Sequence, residues 1–302
     1  MSAFLNALGG KLAERWLALL AIPGLVYLVS LATAVTLGQS QWHDIGRLRT
    51  RLDSLAASPG ANSAGAIAVA AVAVLAGAAL TGTVAQAAGA LIEKVWLMDA
   101  RGPLSRRLTR RRVRRWRAAD AEYRSALVAA GRARIGGAAD AAALTEEAEL
   151  RYAARNRISL VPPRHPLWAG DRITGPDRRV WRAYRLDLTL AWPHLWLLAP
   201  DTTRAELTAA RTALSAAARL TAWGSAYLLL SAWWWPAALI GAATVATGVL
   251  RGRTAAASFA ELAEALADLH GRDLAVAVGM ECEGRLTTTL GESVTRLLSK
   301  PD

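Results

Sequence analysis

From Ala64 to Ile92 the chain runs for 29 residues without a charged side chain, and as a helix that run would rise about 43 Å at about 1.5 Å per residue. It exceeds the roughly 30 Å hydrocarbon core of a bilayer. Residues 16–39 are also uncharged, and so are the 31 residues from Leu220 to Leu250. Such runs predict bilayer spans, because an amphipathic core helix would return a charged or polar face every three to four residues. The composition agrees, at 53% hydrophobic and a mean hydropathy of +0.22.

The first run follows Lys11 and Arg15 and contains Pro23-Gly24, a candidate kink. Ala32-Thr33-Ala34 resembles a signal-peptide cleavage site, but the apolar part is longer than a signal core and further spans follow, so an uncleaved span over 16–39 is expected. In the second span, 64–92, the pairs Ala73/Gly77, Ala78/Gly82 and Ala85/Gly89 allow close helix approach in lipid. Gly77, Gly82 and Gly89, with Gly241 and Gly248 later, are the expected packing positions. Gln86 is expected to hydrogen-bond across a helix contact. The third run is too long for one untilted span and too short for two. Trp233-Trp234-Trp235-Pro236 divides it, since tryptophan prefers the interface and proline opens a helix well. Span three is therefore expected at 211–232 with Arg219 snorkelling to the headgroups, the turn at 233–235, and span four at 236–250.

Charge orients these spans. The net charge is +12, and residues 93–210 hold 23 Lys/Arg against 13 Asp/Glu, or +10 of it. The positive-inside rule places residues 1–15, 93–210 and 251–302 in the cytoplasm, which four spans satisfy together. Residues 40–63 become an extracytoplasmic loop with a small interfacial helix, where Ile45, Leu48, Leu52 and Leu55 recur at helical spacing among Arg47, Arg49 and Arg51. Three lysines among 36 basic residues and abundant alanine point to a GC-rich bacterial genome. The expected fold is an all-α integral protein of the bacterial cytoplasmic (inner) membrane. It has four transmembrane helices, and a helical cytoplasmic domain formed by the connection between spans two and three with the C-terminal tail.

Within that domain, helices are expected over 104–130 and 140–157, broken by Gly136-Gly137 and followed by a "VPPRHP" loop. Residues 188–200 are uncharged but too short to span, so they form either the domain core or a surface segment on the bilayer. Thr203 with Glu206 matches a capping box, opening a helix that would continue into span three and couple domain to membrane. In the tail, Phe259, Leu262, Leu266 and Leu269 make an apolar stripe beside Glu261, Glu264 and Asp268. Thr289 with Glu292 reads as a second box, ahead of an apolar face of Leu290, Val294, Leu297 and Leu298. Both tail helices should dock on the first block. The order "LVPP", "GDR", "WRAYRLDLTLAWPHLWLLAPD", "ARTALSAAARL", a tryptophan-rich span pair and "DLHGRDLAVAVG" resembles a group of uncharacterised actinobacterial multi-pass membrane proteins over about 150–280. The resemblance implies the paired spans three and four and no activity.

"RRLTRRRVRRWR", residues 106–117, holds eight arginines in twelve positions. No nucleic-acid-binding module surrounds it, and it begins fewer than fifteen residues after span two, so its nearest phosphates are lipid headgroups. Arg106, Arg107, Arg110, Arg111, Arg114 and Arg115 are the expected headgroup contacts, with Trp116 as an interfacial anchor. The alternatives are a purely topogenic signal, internal pairing with Glu146, Glu147, Glu149 or the acidic tail face, and nucleic acid.

No catalytic, cofactor or metal motif appears. Cys282 stands alone, and His43, His165, His194 and His270 have no ligand spacing. The expected function is a non-enzymatic anchor or scaffold that contacts anionic lipid and recruits a cytoplasmic protein, with homo-oligomers open. The alternative is an oligomeric membrane-permeabilising or channel-forming effector, disfavoured because no span has a polar stripe to line water.

Overall fold

The computed structural model describes residues 21–57 and 63–300. Among them are ten helices and no strand: α1 Ile22–Leu37, α2 Ile45–Ala56, α3 Ala64–Trp96, α4 Pro103–Ile135, α5 Ala141–Ile158, α6 Trp168–Tyr184, α7 Leu188–Leu198, α8 Asp201–Leu230, α9 Pro236–Ala277 and α10 Thr288–Leu298. The protein is all-α. Lys11, Arg15 and the expected start of the first span lie outside the described residues. The chain divides into two compact units, one of residues 1–92 with 215–250 and the other of 93–214 with 251–302.

One described helix, α3, is long and apolar enough to cross a membrane, and only 6% of its most apolar window is buried. The core helix of a soluble protein would be mostly buried. Val69, Val72, Leu80, Val84 and Leu91 of α3 are instead exposed, while Ala78, Gly82, Ala85 and Gly89 face inward. Small residues thus make the helix contacts and large ones point outward.

That inversion recurs through the first unit. Gly24 of α1 lies against the Ala78 carbonyl of α3, where no Cβ fits. A Cβ at Gly89 would stand 2.9 Å from the Arg219 Cα of α8. In the antiparallel pair α8/α9, a Cβ at Gly224 would stand 2.6 Å from the Val245 nitrogen, and one at Gly241 2.7 Å from the Leu228 nitrogen. Gly248 lies against Thr221 and Ala217. Gly77 makes only an ordinary 3.4 Å contact with Leu28, Ala73 is exposed, and so is Gln86, which has no hydrogen-bond partner among the described residues. The expected Gln86 bridge is therefore absent: its side chain falls on the outward face of α3, between the inward positions Ala85 and Gly89.

The end of α1 is stitched to the tryptophan turn. Gln39 Nε2 donates to the carbonyls of Ser231 (2.8 Å) and Ala232 (2.9 Å), and its Oε1 accepts from the Trp235 N–H. Trp42 packs edge-on to Trp235 with centroids 5.0 Å apart. Ala34, Leu230 and Ala237 are buried beneath, with Tyr27, Leu31 and Trp234 around them.

The second unit buries large side chains. Val180, Leu186, Leu195, Leu207, Leu266, Leu274 and Val294 join α6 to α10 in one core, each stabilising by about 1.5–3 kcal/mol on full burial. Residues 188–200 thus belong to this core. The last helix docks where α6 ends. Arg185 there is left-handed (φ 57°), Gly291 lies against the Tyr184 carbonyl, and Thr295 Oγ1 donates to Arg185 O while accepting from Asp187 N.

Several boundaries differ from expectation. Span four and the first tail helix form one continuous α9, and Leu269 is 72% exposed because the inward face runs through Leu266, Ala267, Leu274 and Ala275 and leaves Leu269 beside it. Leu297 of α10 is likewise exposed, off the face on which Leu290, Val294 and Leu298 meet the core. Thr203 lies inside α8, which begins at Asp201, and α10 is capped by Thr287 rather than Thr289, its hydroxyl accepting from Leu290 N.

Candidate lipid-headgroup interface

Pro103, with its fixed φ and no N–H to satisfy, opens α4. Ser105 closes the first turn, its hydroxyl accepting from Gly102 N (3.0 Å) and donating to Gly102 O (2.9 Å). At 3.6 residues per turn the arginines then divide into two arcs. Arg106, Arg110 and Arg114 form one i+4 row, and Arg107, Arg111 and Arg115 the adjacent row. All six are exposed, and so is Arg117. The opposite arc carries Ser105, Arg112, Trp116 and Asp120, and it faces the protein.

Arg112 is the member drawn inward. Its guanidinium donates to Asp171 Oδ2 (2.6 Å), His165 O (2.8 Å) and Ile158 O (3.0 Å). Burial lowers its pKa, and Asp171 opposes that shift. Asp171, whose side chain is 1% exposed, also accepts the N–H groups of Arg164 (2.7 Å) and His165 (2.9 Å). Burial disfavours its charge, but these bonds, the His165 ring and the Arg112 charge outweigh burial and hold the carboxyl below its ordinary value. Gly170 makes this possible, since a Cβ there would stand 2.9 Å from the His165 ring. His165 Nε2 reaches Asp99 at 3.3 Å. The "GDR" stretch is thus a structural knot, completed by an ion pair from Arg172 to Glu261.

Trp116, expected at the headgroups, is buried at 8% exposure, and its indole N–H donates to Ser159 O at 2.8 Å. It shares the Arg112 side of the helix, so it serves packing. Arg155 stacks near it, 5.8 Å from the Trp116 ring and 4.8 Å from Tyr152, while pairing with Asp120.

On the outer arc, Arg107, Arg110, Arg111, Arg114, Arg115 and Arg117 enter no ion pair or hydrogen bond with a described residue, and Arg106 donates only to Ala100 O. Three of the acidic groups named as internal partners are engaged elsewhere: Glu147 with Arg151, Glu261 with Arg172, and Glu264 with Arg179. Along about 16 Å of helix, seven guanidiniums therefore offer planar donor forks to phosphate oxygens. Arg112 was missed as a distinct residue, although its i, i+4, i+8 row with Trp116 and Asp120 marked the inward side. No protein-family model, curated protein or solved structure matches the chain.

Proposed function

We propose that the chain is a non-enzymatic anchor of the bacterial cytoplasmic membrane. In this reading α1, α3, residues 220–230 with the turns of α8 before them, and residues 236–250 of α9 form four spans. Residues 93–214 and 251–302 then lie in the cytoplasm together with both termini, and the outer arc of α4 binds anionic headgroups. The domain so held at the inner leaflet recruits a cytoplasmic protein.

The observation that carries the proposal is the division of the arginine run, with one guanidinium satisfied internally and six left without a described partner. A cluster just beyond a span meets lipid phosphate at high local concentration, and each basic residue near the surface contributes about 1 kcal/mol. Outward-facing Val and Leu on α3, with Leu229, Leu239 and Leu250 exposed on α8 and α9, support spans in lipid. Gln39 and the tryptophan turn support an extracytoplasmic end common to α1, α8 and α9, and Arg251 and Arg253 support the opposite side for the tail. Apolar packing around Ala34, Leu230 and Ala237 favours an anchor over a channel.

The test uses the full-length chain in neutral detergent. Added phosphatidylglycerol should raise the unfolding temperature, phosphatidylcholine should not, and salt should erase the difference. Replacing Arg110, Arg111, Arg114 and Arg115 by Gln should remove most of the response, up to about 4 kcal/mol of surface attraction. An undiminished response in the quadruple variant overturns the headgroup assignment.

A further inference from the structure

In the second unit, a cleft of about 340 Å³ opens between α6, α7 and α9, within the size range of small-molecule sites. One wall is aromatic. Trp192 and Phe259 meet there with centroids 6.1 Å apart and planes inclined at 47°. The lining also includes Asp177, Thr174 and Thr189. A carboxylate and aromatic rings lining one cleft suit a donor with positive charge.

Helix α6 carries two carboxylates. Asp171 is ion-paired, whereas Asp177 enters no ion pair among the described residues. It accepts the Leu188 N–H, and burial, then the neighbouring Asp187, push its carboxyl above the ordinary value against the weaker pull of Arg178 and Arg164. Arg178 spends its nearest donor on the Pro162 carbonyl at 2.7 Å. The carboxylate thus lines an aromatic cleft with no ion-pair partner among the described residues.

We propose that this cleft binds a small organic cation with an apolar body, an amine whose charge meets Asp177 and whose body lies on Trp192 and Phe259. The inference does not rest on the membrane reading, since every residue it uses lies in one compact unit.

Three probes of one skeleton separate charge from size: 3-phenylpropylammonium, 3-phenylpropanol and 3-phenylpropanoate, titrated calorimetrically into the full-length chain in detergent. The amine should bind about tenfold more tightly than the alcohol, and the carboxylate most weakly. Asp177→Asn keeps the acceptor for Leu188 N–H and should bring amine and alcohol to equal affinity. Trp192→Leu should weaken the amine more than the alcohol. Equal binding of amine and alcohol by the native chain overturns the proposal, as does an amine preference that survives Asp177→Asn. If Asp177→Asn does not fold, Trp192→Leu decides, and an undiminished amine preference there is the contrary result.

Discussion

The two units bury opposite things. Of the nine largest fully buried side chains among the described residues, eight lie in the unit of residues 93–214 and 251–302, and only Leu230 lies in the other. The first unit packs Gly24 on Ala78, Gly224 on Val245 and Gly241 on Leu228, and turns Val26, Val29, Val72 and Leu80 outward. On the membrane placement proposed above, one physical rule yields both patterns. Where water surrounds a domain, large apolar side chains gain by burial; where lipid surrounds it, that gain vanishes and close backbone packing provides the contacts.

The contrast can be broken by substitution, beginning with the charged knot of the second unit. Asp171→Ala strands the largely enclosed Arg112 and should cost about 3–5 kcal/mol in unfolding free energy. The same carboxyl sets an acid limb. Its pKa is depressed in the folded state, so its contribution is present above the unfolded value of about 3.9 and is lost as pH falls through the folded value. Asp177 and Glu264, both raised chiefly by burial, act in the opposite sense, and acid relieves their cost. Stability measured below about pH 4 should therefore fall more steeply in the native chain than in Asp171→Ala.

Large-to-small and small-to-large changes should then sort by unit. Leu195→Ala, at a fully buried position of the second unit, should cost about 2–5 kcal/mol by chemical denaturation. Gly241→Leu has the Leu228 backbone in its way and should cost about 1–3 kcal/mol. Val72→Ala, on the outward face of α3, should stay within about 0.5 kcal/mol. A large loss at Val72 in detergent would mean that this face packs against protein.

Much of this was legible from residue chemistry. The break at Trp233–Pro236 was plain because tryptophan and proline mark it, and α8 ends at Leu230 while α9 begins at Pro236. The helices on either side of Gly136-Gly137 were legible from the glycines. Helix α6, by contrast, gave no signal of its own. Gly170, Gly175 and Pro176 are poor helix formers, and tertiary packing under the His165 ring overrides that propensity. With α6 unseen, Asp171 had no place, and Arg112 could not be told from its neighbours. Trp116 misled for a related reason, since a tryptophan beside arginines reads as interfacial until the helix is turned to bring it over Ser159. The cleft at Asp177 was invisible because its walls come from segments about 80 residues apart.

The central claim is that the tryptophan turn and the C-terminal tail lie on opposite sides of a membrane, with the tail inside. Cys282, the single cysteine, is partly exposed in that tail. Membrane-impermeant maleimide applied to intact cells should leave Cys282 unlabelled, and the same reagent should label it once the cells are lysed. Labelling in intact cells equal to that after lysis would contradict the account, because the tail would then lie outside.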